Sequence, residues 1–100
     1  MAAKPVEFHP EAAAEAQAAT EWYRDRSIRA GEAFFRELGR AVGMLAEAPQ
    51  RWPEFIAGAR RYPLRRFPYW VIYRVMPVSL QIIAVAHARR RPGYWRSRLS

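Results

Sequence analysis

Between Ile28 and Ala48 apolar side chains recur at spacings of three and four, and Pro49 ends the run. The row Ile28, Gly31, Phe35, Leu38, Val42 and Leu45, flanked by Phe34, Ala41 and Ala48, predicts a core-facing amphipathic helix. Its stripe is wider than the two rows of a coiled-coil seam, so it must lie on a broad apolar surface. Upstream, Ala12, Ala16, Ala19 and Tyr23 mark one face of an earlier helix from about Glu11 to Arg26. Pro10 stands near its first turn, where the missing N–H costs little, and His9 reads as a cap neighbour without chemistry. Asp25-Arg26-Ser27 breaks the pattern, with Ser27 suited to cap the second helix. Two antiparallel helices with a tight turn follow.

The surface they need is written in the second half, where the period changes to two. Tyr69–Met76 alternates Tyr69, Val71, Tyr73, Val75 with Trp70, Ile72, Arg74, Met76, and Leu80–His87 is apolar on both faces apart from Gln81 and His87. Met76-Pro77-Val78-Ser79 reads as the turn between them. Ala59–Phe67 contains Pro63 and precedes Pro68, so it can be a strand only at a sheet edge or with a bulge; Arg60, Arg61, Arg65 and Arg66 are expected to be exposed on it as an edge strand. Residues 50–58, QRWPEFIAG, read as a connection, and Val6–Phe8 as a short first strand. The expected fold is α+β: an N-terminal strand and helical hairpin packed on a small, mostly antiparallel twisted sheet, followed by a basic tail or short helix.

A chain of 100 residues with 51% hydrophobic content is expected to form one domain over residues 1–100. With no cysteine it has neither a disulfide framework nor a thiolate metal site, which fits a reducing cytoplasm; no metal or cofactor is expected. MAAKPVEFHP lacks the apolar core of a leader peptide, and no stretch reaches the roughly 20 apolar residues of a membrane span. The net charge of +8 is very uneven: residues 1–50 carry six basic and eight acidic side chains, residues 51–100 eleven arginines against Glu54 alone. Arginine forks pair with phosphate and carboxylate, so the second half suits a polyanion or an acidic protein segment. A small domain binding nucleic acid through its tail phosphate by phosphate is one reading, although no zinc-finger or RNA-recognition pattern accompanies it.

The order of these elements, with AP…WPE after the second helix, then LRRFPYWVIYRV, then IIAVAHARRRPGYWRSR, resembles the RelE/ParE superfamily of bacterial type II toxin–antitoxin toxins over residues 6–98. Its signatures here are Y-x-V-x-Y-R-V at Tyr69–Val75 and V-x-H-x-R-R at Val85–Arg90. The resemblance implies a cytoplasmic growth-inhibiting toxin in a hetero-oligomer with a cognate antitoxin, which wraps it with an extended segment. RelE-like members cut mRNA in the ribosomal A site, whereas ParE-like members bind and poison DNA gyrase.

The nuclease pattern has an arginine at the start of the core strand, where this chain has Trp70. Losing a cation that stabilises the phosphorane removes a contact of typically a few kcal/mol, roughly 100-fold in rate. His87, Arg89, Arg90 and Tyr94 remain as candidates for proton transfer and phosphate binding, with Arg91-Pro92-Gly93 stretching the family's spacing before the tyrosine. The ParE-like reading is preferred, with Arg65, Arg66, Arg89, Arg90, Arg91, Tyr94, Trp95, Arg96 and Arg98 expected to engage the antitoxin or the target.

Overall fold

The computed structural model describes residues 3–100, so the leader-peptide reading falls partly outside the described residues. The elements are β1 (Val6–Phe8), α1 (Pro10–Arg26), α2 (Ile28–Glu47), β2 (Glu54–Ile56), β3 (Ala59–Pro63), β4 (Tyr69–Val75) and β5 (Leu80–His87), with 3-10 turns at Pro49–Arg51 and Arg96–Leu99. They form a helical hairpin on one five-stranded sheet of order β1-β5-β4-β3-β2. β1 runs parallel to β5, and every other neighbouring pair is antiparallel. None of the described helices is long and apolar enough to cross a membrane.

One residue joins the helices. Ser27 closes α1 with its N–H to the Tyr23 carbonyl and caps α2 by accepting from the Ala30 N–H. So short a link presses the helix ends together, and a Cβ at Gly31 would lie 2.8 Å from Arg24 Cβ and 3.0 Å from its Cα. Since that contact is with another backbone, Gly31→Ala is expected to cost about 1–3 kcal/mol, read as a lower urea midpoint at unchanged slope.

The helix stripe is rotated from the expected centre. Phe34, Leu38, Ala41 and Leu45 are buried, while Ile28 and Phe35 are 70% and 68% exposed. The sheet and α1 cover only part of the broad stripe, so Phe35 meets solvent in a groove with Leu38 and Val42.

Two strand assignments change as well. Residues 54–56, inside the expected connection, form β2, joined to β3 by a two-residue turn at Ala57 (φ 53°) and Gly58 (φ 80°). β3 is therefore not an edge. Because β2 pairs only with its start, at Ala59 and Arg60, Pro63 still lies where no strand needs its missing N–H on that side. Arg60 and Arg61 are half-buried rather than exposed: Arg60 donates to the Trp52 carbonyl, and Arg61 lies over the Phe55 and Trp70 rings at 3.7 and 4.2 Å.

A bulge in β5 fixes which side chains face the helices. Ile72 pairs with Ala84 but Tyr73 with Ile82, leaving Ile83 extra. Ile82 and Val85 thus both enter the core under the helices with Val71 and Tyr73, while Ile83, Ala84 and Ala86 face the other side. The phase change also carries His87 to the helix face, opposite Tyr69.

Candidate functional site

The tail after β5 folds back as a third layer. Trp95, 1% exposed, anchors it against Ala59, Ile72, Ile83 and Ala86 on the sheet face away from the helices. Arg74 Nη1 donates to the Leu99 carbonyl at 3.1 Å. Gly93, with φ 82°, makes the turn that returns Tyr94 beneath Arg90, whose guanidinium lies 3.8 Å from the Tyr94 ring centre.

From this layer two side chains reach around β5 to α1. β1 ends opposite Ile82, so beyond that point β5 lacks a strand partner on the edge away from β4. Glu15 of α1 takes its place: Oε1 accepts from the Val85 N–H at 3.0 Å and from Arg98 Nη1 at 2.9 Å. Its Oε2 accepts from the Tyr94 hydroxyl at 2.6 Å and from Arg98 Nη2 at 2.8 Å, and Arg98 also donates to the Ile83 carbonyl. Burial alone would raise the Glu15 pKa, but the hydrogen bonds from Arg98, Tyr94 and Val85 outweigh it and hold the carboxyl below its usual range. Burial and the Glu15 carboxylate both push the Tyr94 phenol up, so it stays protonated.

Above this knot a cleft of about 460 Å³ opens between α1 and the end of β5. Trp22, Tyr23 and Tyr69 form its aromatic wall, and His87 and Arg90 its polar mouth. His87 Nδ1 accepts from the Arg89 N–H at 3.0 Å, which leaves Nε2 as the donor of the neutral ring. His87, Arg90 and Tyr94 are thus brought together, whereas Arg89, Arg91 and Arg96 stand exposed around them.

The remaining expected residues lie elsewhere. Trp95 and the Arg98 side chain, 7% exposed, are turned inside the molecule, where they anchor the tail. Arg65 and Arg66 sit at the β3–β4 connection beside α2, where Glu37 Oε2 accepts both backbone N–H groups and Oε1 accepts from Arg66 Nε at 3.1 Å. Glu15 and Glu37, which organise both regions, were absent from the expected site residues.

A family model described as the ParE toxin of the type II toxin–antitoxin system parDE matches residues 6–92. The chain belongs to the ParE toxin family. Its fold is similar to a solved structure of the chromosomal ParDE toxin–antitoxin system from P. aeruginosa, with TM-score 0.75 and 21% identity over 86% of this chain and 97% of that one. It is also similar, at TM-score 0.57 and 18% identity, to the E. coli toxin RelE in the free state, a double arginine-to-alanine mutant, over 88% of this chain and 86% of that one. A sequence search of curated proteins found no match. Within the ParE-family chain, Trp70 packs into the layer beneath the tail, with the guanidinium of Arg61 over its ring.

Proposed function

We propose that this ParE-family toxin inhibits growth by binding rather than by cutting: it engages DNA gyrase in the cytoplasm through the tail and is neutralised by a cognate antitoxin. The observation that carries this reading is the Tyr94 hydroxyl, fixed to Glu15 at 2.6 Å. A nuclease acid must deliver a proton to a leaving 5′-oxygen, and this phenol is held protonated against a carboxylate that Arg98 keeps ionised. The same knot supports a binding role, because it presents Arg89, Arg91 and Arg96 on a fixed base.

Replacing Arg89, Arg90 and Arg91 together with Ala is expected to leave the fold intact and to weaken gyrase inhibition at least roughly tenfold, since each removes a charge-assisted contact. A supercoiling assay with purified toxin and gyrase reads this directly. Full inhibition by the folded triple variant contradicts the assignment.

The second reading is a ribosome-dependent mRNA endonuclease. It is favoured by the meeting of His87, Arg90 and Tyr94 at one cleft and by the Arg61 guanidinium beside Trp70. That reading requires His87→Ala to reduce mRNA cleavage on ribosomes.

A further inference from the structure

The cleft between α1 and the end of β5 is walled by rings. Trp22 is 50% exposed, Tyr23 and Tyr69 are half-buried beside it, and the His87 ring meets Tyr69 edge to face at 5.0 Å. Aromatic side chains open to solvent suit nucleobases, which stack on them whatever their identity. A volume of about 460 Å³ lies within the roughly 300–1,000 Å³ of small-ligand sites, so the cleft admits a single nucleotide and not a double helix.

The charge around it is positive. Glu15, the one carboxylate lining the cleft, is already matched by Arg98 through contacts of 2.9 and 2.8 Å. On the tail side Arg90 lies at the mouth over the Tyr94 ring, and on the α1 side Arg26 lies over the Trp22 ring at 3.5 Å. Among the described residues neither arginine has a salt-bridge partner, and neither do Arg89 and Arg91. A strand whose base enters the cleft therefore meets a guanidinium for its phosphates on either side. The Nε2–H of His87 adds a neutral donor between them.

We propose that this cleft takes one unpaired nucleotide of a DNA strand, its base against Trp22 and Tyr69 and its flanking phosphates on Arg26 and Arg90. The nucleotide must be unpaired, because a base inside a duplex is stacked between its neighbours and cannot reach a pocket. The choice of DNA rests on the gyrase reading, since gyrase works on DNA, and it makes the surface engaged by the toxin one of nucleic acid as well as protein.

The indoles supply the test. With isotope-labelled tryptophan in the full chain, a single-stranded oligodeoxyadenylate is titrated and compared with the same strand in a duplex and with oligoriboadenylate. The Trp22 indole N–H signal is expected to shift saturably while Trp52, which packs on Tyr62 away from the cleft, stays still. Trp22→Ala is expected to bind the single strand roughly tenfold or more weakly with its Trp52 signal and its salt dependence unchanged, because it removes a stacking ring and no charge. Arg90→Gln, at an exposed position, is expected to flatten the slope of log affinity against log salt by about 0.7, the loss of one phosphate contact. Undiminished affinity in Trp22→Ala, equal shifts at Trp22 and Trp52, a duplex whose binding depends on Trp22 as strongly, or tighter binding of oligoriboadenylate each overturns the proposal. Supercoiling inhibition by a toxin that binds no strand would leave the gyrase reading standing, so the two fail separately.

Discussion

Glu15→Ala is expected to lower stability by about 3–5 kcal/mol, the cost of stripping the partner from a buried charge. The Arg98 side chain is 7% exposed and its guanidinium is directed at the Glu15 carboxylate, so without Glu15 this nearly buried cation keeps only the exposed Glu11 carboxylate, at 3.6 Å, as an acidic partner. The Val85 N–H and the Tyr94 hydroxyl lose their acceptor in the same step. For a domain whose total stability is of the order of 5–15 kcal/mol, that is a large fraction. A double-mutant cycle with Arg98→Met should return much of the loss, because the second change removes the stranded charge. Urea unfolding of the four proteins measures this, and additive losses would show that the pair is not coupled.

The same carboxylates set the acid limit. Glu15 and Glu37 have folded-state pKa values lowered from the ordinary carboxylate range, so the unfolded chain binds protons more readily than the folded one. Their contribution is complete above the unfolded carboxylate range and declines as pH falls through that range toward the lowered folded values. A urea midpoint that falls with acidity in the wild type should depend less on pH in the Glu15→Ala background.

Trp95→Ala has the second large effect, about 3–5 kcal/mol for truncating a fully buried indole. The damage should be directional. Trp95 is the anchor of the tail on the sheet, so its loss frees the segment after His87 before it affects the helix-side core. Amide exchange is expected to rise first in residues 88–100 and at Ile83–Val85, with the interior of α2 protected until global unfolding. Uniform acceleration throughout would mean that the tail and core are one cooperative unit.

The parts of the fold legible in the sequence were those with a sustained period. Tyr69, Val71, Tyr73 and Val75 line the helix face as their alternation predicts, and the Ala12–Ala19 face of α1 is buried. β2 was missed because its turn, Ala57-Gly58, lacks the Asn-Gly or Asp-Gly signal of such hairpins and needs Ala57 at a positive φ. The bulge at Ile83 leaves no mark in the apolar run Ile82–Ala86, so the side taken by His87 could not be read. Arg61 was assigned to solvent because Pro63 and Pro68 put its strand at a sheet edge, although guanidinium groups also pack on rings.

The two organising carboxylates did leave a signal. Glu15 stands three residues after Ala12 and four before Ala19, and Glu37 three after Phe34 and four before Ala41. Each is a charge inside an apolar helical stripe, which calls for a buried partner. Those partners, Arg98 and the Arg65–Arg66 backbone, lie far along the chain and become visible only once it is folded. Trp95 gave no warning because the tail has no period to separate an anchoring aromatic from an exposed one.

The proposed mode of action of this ParE-family toxin is binding to DNA gyrase. It is tested most directly by pulse-labelling DNA and protein synthesis in bacteria in the minutes after the toxin is induced without an antitoxin. DNA synthesis falling first is the predicted result. Protein synthesis falling first, with His87→Ala abolishing the effect, would contradict the claim and make the cleft at the end of β5 a nuclease site.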